Sequence, residues 1–477
     1  MSEDLREVFR LCAESTLELD PLRGARVRGP AGRLVLGERL PGLDVVLERI
    51  ATTGATGREL LELHRSAAPD GKPTEMIALL GRLARGNVLC RTLEWQGSAL
   101  LTVRASDASR GRWAVAPEPA AVLQLSRFVR IHREGTGLWL ESPLTSARVH
   151  VHDRRVAASL HDLASPSSLT ALAAHEGLPG PVLGAVVGML LVGGFLVRIP
   201  SKGLASEDAE PGLGMWDPVE LLAHHRARQP RSGVPIGKHL PFAGRFEPPP
   251  VLAPPCGRER IALASPDLDD RRHHDPPLAA VMEQRRSRRE HATAPIDVDA
   301  LAELLFRTLR ARAITPGTPD ERQGRSDRPY PSAGASHPLE AYLAVGRCEG
   351  LDRGFYHYHP QQHALYRVET HGEPVQALLR DAMTASGAAD PPQVLLVLGA
   401  RFGRTAWAYG HLAHRLILQE VGVVLQSVYL VATAMGLAAC ALGTGDSSRF
   451  AAITGLDPRV EASVGEIMLG SAPAELE

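Results

Sequence analysis

Apolar positions crowd most densely near the C-terminus, from Arg404 to Gly445 (RTAWAYGHLAHRLILQEVGVVLQSVYLVATAMGLAACALGTG). Leu416, Ile417, Val421, Val424, Leu425, Val428, Leu430, Val431, Ala434 and Met435 leave little polar surface, and no proline intervenes. The pattern predicts one long buried helix inside a large domain or a dimer interface. Gln419, Glu420, Gln426 and Ser427 interrupt the apolar run too early for a membrane span. Gly436 supplies a stop, and the Gly443-Thr444-Gly445 turn lets backbone approach something flat or anionic.

Elsewhere the periods are shorter. Residues 1–200 read as a diverged duplication. In the first copy, strands at 25–27 and 33–36 precede helices at 42–52, 57–64 and 74–85, then a hairpin at 87–93 and 99–103. In the second, strands at 128–132, 137–141 and 148–152 precede helices at 155–163, 169–175 and 181–191, then an extended 194–199. LLGRLARGNVLCRTL echoes VVGMLLVGGFLVRI. Helix, glycine turn and apolar strand is the pattern of a winged helix, which predicts two tandem winged-helix-like units at 1–110 and 111–200. The second candidate recognition helix, 181–191, carries no basic residue, so counterion release has little to work with and nucleic acid is not the expected partner. A strand edge that accepts an extended peptide fits better. Residues 201–275 turn to Pro, His and Arg and predict an extended linker around a short helix at 216–224.

Composition narrows the class. With 477 residues the chain has room for two or three cored domains, and a net charge of -1 gives no global footprint for nucleic acid or an anionic membrane. The start, MSEDLREVFRLC, has no apolar signal core, so a soluble cytoplasmic protein is expected. Five cysteines without CxxC spacing predict free thiols. The histidine pairs (His224-His225, His273-His274, and His357 with His359) lack ligand-spaced Cys or carboxylates, so solvated histidines and no metal are expected.

Chemistry gathers after residue 276. Arg285-Arg286-Ser287-Arg288-Arg289 offers forked guanidiniums and a hydroxyl suited to a phosphate or a ribityl chain. Arg328–Glu340 (RPYPSAGASHPLE) makes a tight small-residue loop whose backbone donors can face a planar ligand. A strand at 341–345, a hairpin at 354–358 and 364–368, and a buried strand at 394–399 complete an α+β domain at 276–477.

Taken in order, Arg-Arg-Ser-x-Arg, Tyr-Pro-Ser-Ala-Gly-Ala-x-x-Pro-Leu-Glu, Gly-Phe-Tyr-x-Tyr, Arg404-x-x-Trp407-x-Tyr409-Gly410, Gln419-Glu420-x-Gly422 and Gly436-Leu437 resemble the FMN-dependent nitroreductase superfamily, over about residues 276–472. The similarity is to its SagB-type branch, the azoline dehydrogenases of ribosomal peptide biosynthesis. Trp216-Asp217-Pro218-x-Glu220-Leu221-Leu222 with His224 and Arg226 is similar to the segment before the catalytic domain in long members, including the cyanobactin oxidases. The resemblance implies a nitroreductase-like fold around a long central helix and a homodimer with FMN at the subunit interface. It places Arg285, Ser287 and Arg289 on the ribityl phosphate and Ser332, Ala333 and Gly334 along the isoalloxazine. Glu420 and Gly422 come near the ring's polar edge, Gly443 and Thr444 close the pocket, and Arg449 adds to the phosphate clamp. The implied activity is oxidation of thiazoline or oxazoline rings in a precursor peptide, with a cyclodehydratase as a further partner.

The family's Lys-Tyr pair reads Ala408-Tyr409 here, and alanine cannot take a proton. Three explanations stand open: Tyr409 acts alone or with His411 or His414, the substrate is not an azoline, or the oxidase activity is lost and the domain is a peptide-binding scaffold.

Overall fold

The computed structural model describes residues 4–20, 24–29, 32–37, 42–105, 116–174, 177–202, 204–228, 237–318, 323–370 and 372–473. The chain divides into two compact units, Met1–Ile236 and Gly237–Glu477.

The first unit is built on a seven-stranded sheet in the order Ala55–Thr56, Leu5–Leu11, Leu89–Trp95, Ser98–Ala105, Arg148–Val151, Gly137–Glu141, Arg130–Glu134. Leu43–Thr52, Gly57–Ala67 and Pro73–Arg85 form as helices, Gly57–Ala67 opening on a capping box. Glu59 N donates to Thr56 Oγ1 at 3.3 Å, while Thr56 N donates back to Glu59 Oε2 at 2.7 Å. These helices enclose one apolar core with Phe9, Val27, Leu36 and Leu89. A second core surrounds the helix Gly180–Val192. The expected division near residue 110 does not separate the two halves. The hairpin before it contributes Leu93, Leu101 and Val103 to the second core, and Leu101–Arg104 pairs with Arg148–Val151 across the seam. The helix expected at 169–175 is Leu169–Leu172, and residues 175–176 lie outside the described ones.

Cys12 and Cys90, expected as free thiols, are joined in a disulfide with their Cα atoms 5.2 Å apart. Sheet register brings them together: Arg10 pairs with Cys90, and Cys12 N donates to Val88 O at 2.9 Å. A separation of 78 residues hides that proximity from the sequence.

In the second unit an all-antiparallel sheet runs Glu259–Ala262, Ala364–Thr370, Gly354–His359, Leu339–Val345, Val394–Arg401, Glu461–Ser471, Leu437–Leu442. Every residue of Val394–Arg401 is buried, as a strand covered on both faces requires. Val298–Leu309 and Ala413–Ala434 pack on one face, and Glu373–Ser386 with Ser447–Thr454 on the other.

Three expectations change here. The long element is not a single helix. Phe402–Tyr409 ends at Gly410, whose φ of 53° and ψ of -121° suit only glycine, and the helix resumes at Ala413–Ala434. Its tail, Leu437–Leu442, is an edge strand. Nor is it apolar-buried all round: Ile417, Val421, Val424, Val428 and Ala432 bury one face, while Leu418 and Val423 are exposed. By length and composition, Phe402–Ala434 is apolar enough to cross a membrane, but this buried face packs on the sheet.

The domain also starts before 276. Residues 237–264, expected as linker, form a strap along the second unit, ending in a strand paired with Ala364–Arg367. Residues 229–236 of that linker lie outside the described ones. Finally, His357 and His359 are buried rather than solvated.

Candidate functional site

The small-residue loop has an unusual backbone held by buried hydrogen bonds. Gly334, Ala335 and His337 have φ of 58°, 53° and 43°. Left-handed backbone at the two non-glycine residues costs roughly 1–2 kcal/mol each and persists only where the surroundings over-determine it. Arg404 does much of that. It is fully buried, and its Nε and Nη2 donate to Ser336 O at 3.0 and 2.8 Å, Nη1 to Pro249 O at 3.0 Å and Nη2 to Gly324 O at 2.9 Å. Burial, with Arg401 and Arg328 nearby, lowers its pKa to about 10, so it stays charged at neutral pH. From inside the loop, His337 N donates to Ser332 Oγ at 2.9 Å, and Ser332 Oγ donates to Glu420 Oε2 at 2.5 Å.

Glu420 is 4% exposed, and burial pushes its pKa up to about 7 against the opposing pull of the Ser332 hydroxyl and Arg328. Its Oε1 has no hydrogen-bond partner, and neither does His337 Nδ1, 3.9 Å away. Burial, then Arg328 and Arg404, depress His337 to about 3. Two orphaned buried polar atoms beside a strained loop are a built feature, since such groups are costly unless something completes them. Below them Glu340 behaves differently. Burial alone would raise it, but His357, Arg328 and Arg401 outweigh that and hold it at about 2. Arg401 reaches it at 3.2 Å. His357 Nδ1 accepts from Cys256 N at 3.0 Å, so its proton is on Nε2, facing Glu340 at 3.5 Å.

Tyr409 closes the loop from the side. A Cβ at Gly334 would stand 2.6 Å from the Tyr409 hydroxyl, so only glycine lets the two meet. Ala408 is fully buried. His411 and His414, expected three apart on one helix, lie instead on the turn Gly410–Leu412 and the helix Ala413–Ala434. The His411 ring is 6.2 Å from His239, and that of His414 is 6.4 Å from Phe402.

The cationic end is built otherwise. Arg285 is half-buried over the Tyr429 ring at 5.4 Å, and Ser287 Oγ is 3.0 Å from the Tyr429 hydroxyl. That hydroxyl also accepts from Ala441 N at 2.6 Å, and Arg288 N donates to Ala439 O at 2.9 Å. The arginine segment is thus pinned beside the edge strand that leads into Gly443 and Thr444. Ser287, Arg289, Gly443 and Thr444 are exposed.

Glu420 and Tyr429 are nine residues apart, about two and a half helical turns, and so point to opposite sides of their helix. One chain therefore does not gather the expected residues into one cavity. Ser332, Ala333, Gly334, Tyr409 and Glu420 form one group; Arg285, Ser287, Arg289, Gly443 and Thr444 form another. Gly422 does not accompany Glu420, because two residues of helix turn it about 200° away, where it is exposed on the side of Tyr429. Nor does Arg449 join the clamp: its Nε is 2.6 Å from Asp381 and 3.2 Å from Asp446. Among the described residues no group of three or more His, Cys, Asp or Glu is placed to hold a metal ion.

Both groups fit parts of one ligand. Small residues with exposed backbone and an orphaned buried carboxyl suit the edge of a planar heterocycle, and guanidiniums with a hydroxyl suit its phosphate tail. The supporting residues Arg328, His337 and Tyr429 carry no signal in the sequence, since their roles depend on partners as far off as 142 residues, the distance from Ser287 to Tyr429.

Comparison with known proteins gives the family of the second unit. Residues 282–471 match the nitroreductase family model, and residues 123–233 match that of the cyanobactin oxidase ThcOx. A nitroreductase relative from Methanocaldococcus jannaschii is 33% identical over 188 residues, 39% of this chain and 85% of the relative. The microcin B17-processing protein McbC of Escherichia coli is 31% identical over 155 residues, 31% of this chain and 56% of that protein. The trifolitoxin-processing protein TfxB of Rhizobium leguminosarum is 25% identical over 142 residues, 29% of this chain and 38% of that protein. The chain thus spans about half or less of the two peptide-processing relatives.

Proposed function

Because the chain belongs to the nitroreductase family of oxidoreductases, whose members typically bind flavin, we propose that it is an FMN-dependent oxidase of a ribosomally made peptide, converting thiazoline or oxazoline rings to thiazole or oxazole. The observation that carries this reading is the Tyr409 hydroxyl set against Gly334, beside the hydrogen bond from Ser332 to the buried Glu420. The names of McbC and TfxB support a peptide substrate, as does the match to the cyanobactin oxidase model.

FMN, when bound, supplies the two-electron oxidant. Arg285, Ser287 and Arg289 would hold its phosphate, with Gly443 and Thr444 beside it. Ser332, Ala333 and Gly334 would present backbone to its ring, and Glu420 can hold or release a proton there near neutral pH. The opposite helix faces of Glu420 and Tyr429 support a homodimer in which each site takes its loop from one chain and its cationic end from the other. Leu418, Gly422 and Val423 leave an exposed, partly apolar stripe on that helix, a fitting surface for a second copy. In the first unit, the edge strand Arg130–Glu134 offers unpaired backbone to a peptide that adds as another strand. A cyclodehydratase is the partner that would make the azoline.

The test is a visible spectrum under anaerobic conditions. A yellow protein bleached by an azoline peptide establishes the oxidase. Bleaching by NAD(P)H but not by peptide establishes a reductase of a non-azoline substrate, which the buried Ala408 favours as the second reading. A colourless protein that cannot be loaded with FMN leaves a peptide-binding scaffold.

A further inference from the structure

The strap that precedes residue 276 brings a histidine to the Tyr409 corner. The backbone N–H groups of His239 and Leu240 donate to the Ala408 carbonyl at 3.1 and 3.2 Å, docking the strap one residue before Tyr409. Leu240 adopts a φ of 51° there, a conformation its side chain disfavours. His239 Nδ1 lies 3.0 Å from Gly237 O. A carbonyl oxygen only accepts, so the ring proton is on Nδ1 and the lone pair is on Nε2. Nε2 points toward the Tyr409–Gly410 turn, where a Cβ on Gly410 would stand 3.2 Å from it. Pro241 Cγ would stand equally close to that Cβ, at 3.2 Å, so only a bare glycine lets the strap and its imidazole dock this tightly against the turn. The His411 ring lies 6.2 Å from that of His239, Lys238 next to it in the chain is exposed, and the Ala408 carbonyl ties the strap to the residue before Tyr409. A half-buried imidazole fixed at one nitrogen and basic at the other is arranged to exchange protons.

We propose that His239 is a catalytic acid–base residue of the second unit, receiving the proton that substrate carbon loses at the Tyr409 corner. The proposal rests on the oxidase reading. A proton passes from one ring carbon to Nε2 and a hydride from the adjacent ring carbon to the bound flavin, the two-electron oxidant. The two carbons close a double bond, and the imidazolium then returns its proton to water.

The deciding variants are His239→Asn, whose amide can still donate to Gly237 O but offers no base, and His239→Ala. With FMN-loaded full-length protein and an azoline peptide, the rate of flavin bleaching is expected to fall about 10²–10³-fold in H239N, with FMN content and Tm at the wild-type level. Added imidazole is expected to restore part of the H239A rate. A wild-type rate in H239N overturns the proposal. So does a loss that follows FMN content down, or one that imidazole leaves untouched, since either assigns His239 to holding the strap. If the wild type is bleached by NAD(P)H and by no azoline peptide, the oxidase reading falls while His239 is tested in the opposite direction. Quinone reduction takes up protons on oxygen, so H239N is expected to slow that half-reaction by a similar factor, and an unchanged rate overturns the assignment.

Discussion

The two ends of the proposed flavin site are made by opposite means. At the loop end, Arg404 is fully buried and spends four hydrogen bonds on three carbonyls, and a strained backbone leans on Ser332, Glu420 and Tyr409. At the cationic end, Ser287, Arg289, Gly443 and Thr444 face outward, and Tyr429 with the Arg288–Ala439 backbone hydrogen bond pins the segment to the edge strand. The first end is paid for by folding, the second by whatever binds. A planar ring needs close, fixed approach, whereas a phosphate is drawn in by charge at longer range and tolerates loose donors.

The comparison can be broken most sharply at Arg404. Arg404→Ala leaves the carbonyls of Ser336, Pro249 and Gly324 without their donor at roughly 1–3 kcal/mol each, so a loss of about 3 kcal/mol or more is expected in calorimetric unfolding. A loss under about 1 kcal/mol would show that the loop end is not prebuilt.

Glu420→Gln sharpens the contrast through pH. A carboxyl whose folded pKa is raised to about 7 binds more protons folded than unfolded. Its stabilising contribution is therefore complete below about pH 4.5 and is lost as pH rises through about 7. Relative to wild type, flavin-free E420Q is expected to gain up to ~3 kcal/mol between about pH 5 and pH 9. A gap that stays constant with pH would remove the raised titration. Glu466, also pushed to about 7 by burial and by Asp381 and Asp446, gives both proteins a shared slope of the same sign.

Gly334→Ala sets a Cβ 2.6 Å from the Tyr409 hydroxyl at a left-handed residue, which costs about 1–2 kcal/mol. Turnover is expected to fall more than stability, and an unchanged rate would detach Tyr409 from the chemistry. The smallest effect on folding belongs to Arg285→Ala. Stability stays within about 0.5 kcal/mol, while FMN affinity drops about tenfold and becomes less salt-dependent by titration. A stability loss as large as that at Arg404 would erase the distinction between the two ends.

What the sequence made legible follows the same line. Ser332 to Gly334 and Arg285 to Arg289 stand out because composition marks them, and the strand expected at 394–399 because of its apolar run, though the element itself continues to Arg401. The strap at 237–264 reads as extended chain over a surface, but which surface does not show. Proline-rich extended chain carries no period, and its partners, such as Trp407 donating to Phe246 O, sit 161 residues away. The break at Gly410 was lost inside an apolar run, since one glycine among many has no distinctive pattern until its φ and ψ are known. The resemblance alone places Arg449 at the phosphate, and its ion pairs with Asp381 and Asp446 depend on a fold contact the sequence does not display. His411 and His414 kept the spacing of a shared face only on the assumption that their helix was continuous.

The seam in the first unit, where Leu101–Arg104 pairs with Arg148–Val151, bears on how the two units expected there could be taken apart. Two beads on a string could be swapped, deleted or expressed singly. Halves that share one sheet cannot, because each, cut free, would present a raw strand edge able to recruit a neighbour and aggregate. On the peptide-binding reading proposed above, the peptide would meet a single fused platform, and an engineer wishing to exchange specificity must transplant the platform whole.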